Sequence, residues 1–252
     1  MSVNTGADKS HRSGTAETVR IVVHALILAM IVRVFFFQPF NIPSGSMIPT
    51  LLIGDYLFVS KFSYGYSNHS FPFSPDLFSG RIWSSDPKRG DVAVFKLPRD
   101  NSTDYIKRVI GLPGDRIQMK KGVLQINGKP VKRRRIEDFV TRDSSGNARR
   151  VSQYEEILPN GITYNTLDLV ENGFNDNTKV YQVPVGHFFM MGDNRDNSTD
   201  SRVASAVGYV PATNFIGRAE IIFFSAGSQA PMWQFWNWPS VIRWSRFFEL
   251  VD

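Results

Sequence analysis

The sequence of 252 residues contains no cysteine and only four histidines. The lack of cysteine excludes disulfides, zinc–thiolate sites and thiol catalysis, although it does not assign a redox compartment. No two histidines are spaced four residues apart, so a helical metal-binding pair is absent as well. These absences direct the search for a catalytic base towards lysine.

Long apolar runs are also scarce. One covers residues 21–37 and is interrupted only by His24 and Arg33. Its 17 residues are near the lower limit for crossing a hydrocarbon core of roughly 30 Å. Arg33 is close enough to the end of the run to extend its side chain to the interface. The aromatic residues 35–37 then suit the headgroup level.

Three basic residues, Lys9, Arg12 and Arg20, precede this run and favour a cytoplasmic N-terminus. A cleavable signal peptide is one alternative, but the bulky residues 36–40 occupy the place of a small-x-small cleavage site. A helix lying flat on the membrane is another, but the run is apolar nearly all round. We therefore predict an uncleaved single-pass anchor over residues 19–38.

The net charge is +6, and residues 129–150 contribute +5 of it through eight Lys/Arg and three Asp/Glu. A local excess of this kind describes a surface patch rather than a basic protein. Residues 132–135 (Lys-Arg-Arg-Arg) are either a solvated loop or a contact surface for an acidic partner, phospholipid or nucleic acid.

After residue 40 the chain shows short β-type segments and almost no helical periodicity. Strands are predicted over residues 55–62, 91–97, 105–110, 123–126, 187–191, 207–210 and 216–224. Asn127-Gly128 suits the type I′ turn of a hairpin. The pattern predicts a mostly β protein with one N-terminal transmembrane helix.

Residues 40–51 (Phe-Asn-Ile-Pro-Ser-Gly-Ser-Met-Ile-Pro-Thr-Leu) form a stiff, apolar-flanked turn. Pro43 and Pro49 fix their φ angles and remove two backbone donors, so the stretch is neither helix nor central strand. A serine hydroxyl held on such a turn has the setting that a nucleophile requires. An ordinary Pro/Ser/Gly loop after a membrane helix fits this stretch equally well.

A serine hydroxyl needs a base to remove its proton. Strand alternation puts Tyr105, Lys107 and Val109 on one face, where Lys107 would be buried. Burial can lower the pKa of a lysine from about 10.4 by several units. Taken alone, a lysine in a strand is more often a solvated edge residue, so the hypothesis needs further support.

Residues 192–202 contain three Asp, two Asn and two Arg, together with Ser and Thr. This density predicts a network of turns and salt bridges beside a site, in which a serine could orient the lysine. A calcium loop competes with this interpretation, but the EF-hand pattern fails because Ser198 occupies the position that requires glycine.

Five stretches in order carry a resemblance to a known family. They are residues 43–51, 54–61, 88–92, 105–115 (Tyr-Ile-Lys-Arg-Val-Ile-Gly-Leu-Pro-Gly-Asp) and 192–202 (Gly-Asp-Asn-Arg-Asp-Asn-Ser-Thr-Asp-Ser-Arg). Together they resemble the conserved motifs of the bacterial type I signal peptidases, or leader peptidases. With the anchor, the resemblance spans residues 20 to 220.

This resemblance implies a Ser/Lys-dyad serine endopeptidase that removes signal peptides after Ala-x-Ala-type sites. It makes Ser46 the nucleophile and Lys107 the general base. It assigns the oxyanion hole to the Ser44 hydroxyl and the Ser46 backbone N–H, and a hydrogen bond with Lys107 to Ser198. Substrate-binding residues would be Phe40, Ile42, Pro43, Met47, Leu51, Asp104, Tyr105 and Ile106. Structural residues beside the site would be Asp193, Arg195 and Asp200.

The resemblance also implies a fold like that of signal peptidases and SOS repressors, with no cofactor and no metal. The expected partners are signal-peptide-bearing preproteins and membrane lipid, with no nucleic acid, and we expect a monomer. The catalytic domain would lie on the outer, periplasmic face of the cytoplasmic membrane. Some members have two anchoring helices, whereas this chain shows one. The segment between the lysine motif and the last motif is also shorter than in the longest members.

These inferences predict a division of the chain. A disordered cytoplasmic tail would cover residues 1–18 and the anchor 19–38. The catalytic β domain would comprise 39–118 and 181–228, with an inserted β region at 119–180. An aromatic tail at 229–252, including a short amphipathic helix from Ser240, would either lie in the membrane interface or pack on its own domain.

Two other classes of function compete with this prediction. A self-cleaving repressor of the SOS type shares the dyad, but it requires a DNA-binding domain and no membrane anchor, which the apolar run contradicts. A non-catalytic, membrane-tethered β module would bind an acidic partner through residues 132–135.

Overall fold

The computed structural model describes residues 10–71, 74–75, 78–142, 147–227 and 238–251. An N-terminal helix, α1 (Ser10–Phe35), precedes the β-strands, and a single-turn helix, α2 (Trp238–Val241), follows them. The strands are β1 (Phe37–Asn41), β2 (Asp55–Ser60), β3 (Val92–Lys96), β4 (Asp104–Gly111), β5 (Arg116–Lys120), β6 (Val123–Ile126), β7 (Lys129–Pro130), β8 (Lys132–Arg135), β9 (Phe139–Arg142), β10 (Ala148–Ile157), β11 (Thr163–Asp168), β12 (Tyr181–Gln182), β13 (His187–Met191), β14 (Val210–Pro211) and β15 (Phe215–Ser225).

The helix α1 includes a 22-residue segment, Gly14–Phe35, whose most apolar 18 residues have a mean hydropathy of 2.1. None of these 18 residues is counted as buried inside the protein. At 1.5 Å per residue this segment is about 33 Å long, enough to cross a bilayer core. The helix begins at Ser10, inside the stretch predicted to be disordered, and residues 1–9 lie outside the described residues. It ends at Phe35, so Phe37 belongs to a strand and not to the anchor.

The end of α1 is fixed to the β domain by main-chain and aromatic contacts. The Tyr66 hydroxyl donates a hydrogen bond to the Phe35 carbonyl, and the Lys61 N–H donates to the Phe36 carbonyl at 3.0 Å. The rings of Phe35 and Tyr66 pack edge to face with centroids 5.9 Å apart. The anchor therefore continues directly into the folded domain.

Seven strands form the main sheet in the order β1-β2-β15-β3-β4-β13-β14, and each neighbouring pair is antiparallel. Two smaller sheets, β11-β10-β8 with β9 attached and β12-β5-β6-β7, come from the chain between β4 and β13. The prediction of a mostly β protein with an N-terminal apolar helix and an antiparallel sheet is confirmed. The β6–β7 hairpin turns at Asn127 and Gly128, both with positive φ, as a type I′ turn requires.

The main sheet buries an apolar cluster beneath the first sequence motif. It includes Met47 and Leu51 from that motif, Leu57 and Val59 from β2, and Ile222 from β15. Alternation along β2 brings Leu57 and Val59 to the same face. Because the turn at residues 45–47 is seated on this cluster, its backbone is fixed from below.

Two local predictions differ from the structure. The strand predicted at residues 207–210 is reduced to Val210–Pro211, because Val207 lies in a turn with its side chain buried in the core. The amphipathic helix predicted from Ser240 is only the single turn Trp238–Val241, followed by a 3-10 turn at Trp244–Arg246. Residues 228–237, which hold Trp233, Phe235 and Trp236, lie outside the described residues.

The described part of the C-terminal tail packs along β15. Isolated bridges join Ala226 to Ile242 and Ile221 to Leu250. This is the arrangement of a tail packed on its own domain. The Trp244 and Phe248 side chains remain 60% and 72% exposed, so a membrane contact of these rings stays a prediction.

Asp55 holds this tail in place. Its carboxylate is fully buried and accepts hydrogen bonds from the Leu52 N–H at 2.7 Å and the Ser225 hydroxyl at 2.6 Å. The guanidinium groups of Arg243 and Arg246 approach the same carboxylate at 3.4 and 2.8 Å. The tail is therefore joined by ion pairs to the start of β2.

We expect Asp55→Ala to lower the free energy of unfolding by about 3 kcal/mol and to release the tail, because it leaves buried donors without their acceptor. Urea unfolding and hydrogen exchange of residues 238–251 measure both effects. Glu249→Gln is the matched control, since its carboxylate is largely exposed on Arg246 and its loss should cost under about 1 kcal/mol. Equal effects of the two changes would contradict this role of Asp55.

Candidate active site

The first motif forms a short buried turn that presents a serine. Ser44 has an extended backbone and caps a 3-10 helix, Gly45–Met47, whose three residues are all buried. Met47 and Leu51 are completely buried in the apolar cluster below. The apolar residues of the motif thus fix the turn, and the Ser46 hydroxyl points away from the core they form.

The last motif holds this turn from the other side. Asn194 donates from its side chain to the Gly45 carbonyl at 2.9 Å and from its backbone N–H to the Ser46 carbonyl at 3.1 Å. A side chain at Gly192 would place its Cβ 2.5 Å from the Ser46 carbonyl oxygen, so this approach needs glycine. Asn194 and Gly45, 149 positions apart in the chain, are thereby joined at the turn that carries Ser46, which we call the nucleophile turn after its predicted role.

Lys107 reaches the same turn from β4. Its Nζ lies 2.8 Å from the Ser46 Oγ and 2.8 Å from the Ile106 carbonyl oxygen, and the residue is only 4% exposed. The Tyr105 ring lies 5.2 Å from the same nitrogen. The structure therefore brings together the two predicted catalytic side chains in a buried setting.

Burial lowers the pKa of Lys107 from 10.5 to about 8, and the negative charges of Asp200 and Asp193 oppose this shift in part. Removing an ammonium group from water disfavours its charged form. At pH values above 8 the amine is mostly neutral and has a free lone pair. A neutral amine within hydrogen-bond distance of an alcohol is the arrangement that proton removal from the alcohol requires.

The two other predicted serines lie close to the dyad but differ in their contacts. The Ser44 Oγ is 3.5 Å from the Ser46 Oγ and faces the same cleft. The buried Ser198 hydroxyl has no hydrogen-bond partner among the residues that the structure describes, so the expected bond to Lys107 is not formed. The Ser198 side chain is packed close to Gly192, where an added Cβ would overlap the Ser198 Oγ.

A cleft of about 480 Å³ opens over the dyad. Six of the eight predicted substrate-binding residues line it, namely Phe40, Ile42, Pro43, Asp104, Tyr105 and Ile106. Met47 and Leu51 do not, because they face downwards into the core. Residues that the sequence did not single out also line it, namely Asn41, Val94, Asn197 and Thr199.

The predicted structural residues of the last motif form buried ion pairs behind the cleft. Asp193 accepts from the Arg108 Nε and Nη2 at 3.0 and 2.9 Å and from the Thr50 hydroxyl at 2.6 Å. Asp200 pairs with Arg202 at 2.8 Å. Both carboxylates are therefore paired with arginine side chains, Asp193 with Arg108 and Asp200 with Arg202.

Arg195 extends the network into the inserted sheets. It contacts both carboxylate oxygens of Glu156, on β10, at 2.8 and 2.7 Å, and its Nη2 lies 2.9 Å from the hydroxyl of Tyr164, on β11. The Arg108 guanidinium stacks 4.4 Å from the Tyr164 ring centroid. Sequence reasoning missed Arg108, Glu156 and Asn194. The last motif contains three Asp and only two Arg. This imbalance was the one signal that an arginine from elsewhere in the chain would pair with the motif.

The basic patch at residues 132–135 is largely paired within the protein. Arg133 contacts Asp168 at 2.9 Å, Arg134 contacts Glu155 at 2.9 Å and Arg135 contacts Asp138 at 2.6 Å. These pairs tie β8 to its neighbours. The patch therefore offers less free positive charge than the sequence indicated for a binding module.

Comparison with known proteins identifies the family. The family model described as signal peptidase, peptidase S26, matches residues 15–224. A signal peptidase I from Rickettsia typhi is 44% identical over 209 residues, which cover 79% of this chain and 76% of the relative. One from Rickettsia canadensis is 42% identical over 220 residues, covering 84% and 80%.

A crystal structure of a signal peptidase I from Enterococcus faecalis V583 is similar at 24% identity, covers 53% of this chain and 97% of that one, and gives a TM-score of 0.33. The assignment depends on the family match and on the sequence relatives, which agree over most of the chain. The resemblance carried by the five motifs is thereby confirmed: the chain belongs to the signal peptidase family, peptidase S26.

Proposed function

We propose that this chain is a membrane-anchored signal peptidase I in which Ser46 is the nucleophile and Lys107 the general base. Signal-peptide cleavage by a serine endopeptidase is the activity of the family to which the chain belongs. The observation that carries the residue assignment is the 2.8 Å contact between the Lys107 amine and the Ser46 hydroxyl in a buried site.

The geometry supports a two-step hydrolysis. Neutral Lys107 accepts the proton of the Ser46 hydroxyl while the Ser46 Oγ bonds to the carbonyl carbon of the scissile peptide. The resulting ammonium group then gives this proton to the leaving nitrogen as the C–N bond breaks, which leaves an ester on Ser46. Water next attacks the ester carbonyl carbon, and one of its protons passes through Lys107 to the Ser46 oxygen as the ester C–O bond breaks. The signal peptide leaves as a carboxylic acid, which loses its proton to solvent.

The negative charge of the tetrahedral intermediate requires donors beside Ser46. We assign these to the Ser44 hydroxyl and the Ser46 backbone N–H. The extended backbone of Ser44 and its 3.5 Å spacing from the Ser46 Oγ support this assignment. Donors fixed in advance on a rigid turn stabilise an oxyanion without reorganising during the reaction.

The cleft suits an extended peptide with small side chains near the cut. Its walls are Phe40 of β1 with Ile42 directly after that strand, and Asp104, Tyr105 and Ile106 of β4. Apolar walls close to the nucleophile leave room for alanine-sized residues, which agrees with Ala-x-Ala specificity. Met47 and Leu51 act from below by fixing the floor.

We place the protein in the cytoplasmic membrane as a monomer, with its N-terminus in the cytoplasm and residues 39 onwards on the outer face. Basic residues ahead of the apolar segment support this orientation. Residues 39–118 and 181–228 act as the catalytic unit. The inserted region at 119–180 supports it through Glu156 and Tyr164.

We expect Ser46→Ala and Lys107→Ala each to reduce preprotein cleavage by on the order of 10³-fold or more, since each removes one half of the dyad. Cleavage by detergent-solubilised protein measures this, with circular dichroism to verify folding. Ser205→Ala and Lys120→Ala are matched controls at exposed positions. Normal turnover by either dyad variant would refute the assignment.

The rate should rise with pH through a group of pKa about 8 and then level off. The base acts only when neutral, so each pH unit below 8 should reduce the rate roughly tenfold. A pH profile of kcat/KM measures this pKa in the free enzyme. A profile that keeps rising towards pH 10.5, the ordinary value for lysine, would contradict a buried base.

Ser44→Ala should lower kcat on the order of 10²-fold with a small change in KM, because the lost donor acts in the transition state. Ser44→Thr keeps the hydroxyl and is the matched control, so it should recover much of the activity. Steady-state kinetics on one preprotein separates the two parameters. A loss confined to KM would indicate substrate binding instead.

A further inference from the structure

A second cavity lies where the anchor enters the β domain. Its volume is about 450 Å³, and its lining includes Arg33 of α1, Gln38 of β1, Lys61 after β2, His69 and Lys96 of β3. Four of these five side chains are basic. Asp104, at the edge shared with the active-site cleft, is the acidic group in the lining.

Lys61 is the unusual member of this set. It is only 2% exposed, yet among the described residues no carboxylate lies within 4 Å of its amine. Its Nζ donates to the Ser70 carbonyl. A buried ammonium group is costly unless an anion accompanies it, because a carbonyl oxygen carries only a partial charge.

The other charged side chains in the described lining do not supply that anion. Asp104 is already paired with Lys96 at 2.8 Å, and Lys96 also donates to the Ser102 carbonyl at 2.7 Å. Arg33 is exposed at the mouth of the cavity. Burial and the positive charge of Arg33 lower the pKa of Lys61 to about 8, opposed in part by Asp104. Among the residues that the structure describes, the lining of the cavity thus carries two positive charges, on Arg33 and Lys61, in excess of its ion pair.

The position of the cavity indicates what anion would reach it. Arg33 lies two residues before the end of α1, at the level where a spanning helix meets the lipid headgroups. Phe36, Phe37 and Phe62 beside it are 38–50% exposed, and the rings of Phe37 and Phe62 pack together at 5.5 Å. Exposed aromatic rings next to unmatched cations suit a molecule with an apolar chain and an anionic head.

We propose that this cavity binds the phosphate of an anionic phospholipid, held by Arg33 and Lys61. The site goes beyond the peptidase reaction and depends on the anchor rather than on the dyad. A bound headgroup would fix the end of α1, and therefore β1 and its wall of the cleft, at a set height above the bilayer. A free phosphate would have the same head chemistry but none of the contacts to the aromatic rings.

The full chain carrying Ser46→Ala tests this, because it removes cleavage and leaves the cavity intact. Nanodiscs of phosphatidylcholine with a minority of phosphatidylglycerol supply the lipid, and native mass spectrometry counts the phosphatidylglycerol retained on the protein. We expect retention that falls roughly tenfold when Arg33→Gln or Lys61→Gln removes one charge-assisted contact. Arg20→Gln, which lies just before the apolar run of α1 and 13 residues from Arg33, and Lys120→Gln are charge-matched controls that should retain the lipid.

Lipid retention should also fall as the pH rises past 8, because Lys61 then loses its proton beside Arg33, Lys96, His69 and Asp104.

The Arg33→Gln variant keeps the test valid if Lys61→Gln does not fold, since Arg33 is exposed whereas Lys61 is buried. Equal loss in the control variants would mean nonspecific lipid and overturn the site. If inorganic phosphate stabilised the detergent-solubilised protein against unfolding as much as phosphatidylglycerol does, the assignment to a lipid would be overturned. In the active enzyme, Arg33→Gln and Lys61→Gln could each slow the cleavage only of preproteins that have an acidic residue upstream of the cleavage site. This result would overturn the lipid site and make the cavity a peptide subsite.

Discussion

The hydrogen bond between the Lys107 amine and the Ser46 hydroxyl depends on the exclusion of water. An exposed lysine would be protonated at neutral pH and could not take a proton from serine. The main sheet buries the amine between β4 and the turn at Gly45–Met47 and so lowers its pKa to about 8, which raises the neutral fraction near neutral pH. In the proposed mechanism, the core residues Met47 and Leu51 matter as well as the residues that line the cleft, because they support the turn against which the lysine is packed.

Two adjacent residues of β4 show how the same fold gives opposite properties to two cations. Lys107 and Arg108 are both almost fully buried, but alternation sends them to different faces of the sheet. Arg108 meets the Asp193 carboxylate and stays charged, whereas Lys107 meets a hydroxyl and a carbonyl oxygen. The charge of Arg108 is balanced by Asp193, whereas burial disfavours the charge of Lys107. The ion pair behind the cleft also fixes the last motif, which in turn holds the nucleophile turn through Asn194.

The anchor and the active site are close in the chain as well as in space. Helix α1 ends at Phe35, and Ser46 follows after eleven residues, a length of at most about 40 Å when fully extended. The strand between them, β1, forms one wall of the cleft. In the proposed orientation, a signal peptide that leaves the bilayer beside α1 would meet the cleft near the membrane surface, and a contact that positions the end of α1 would also position this wall.

Local sequence patterns indicated the fold class, the apolar N-terminal helix, the Asn127-Gly128 hairpin, a stiff turn with two serines and Lys107 as a candidate base. These features depend on neighbours within a few residues, where proline, glycine and strand alternation act directly. The family resemblance selected Ser46 as the nucleophile and extended the prediction to the cleft, but it could not say that Met47 and Leu51 face the core. Tertiary structure alone decided that Asp193 would meet Arg108, that Asn194 would hold the nucleophile turn, and that Arg243 and Arg246 would fold back onto Asp55. Each of these pairs joins segments 85 to 191 residues apart, and a side chain's partner at that distance is set by how the sheets pack, which no local pattern records.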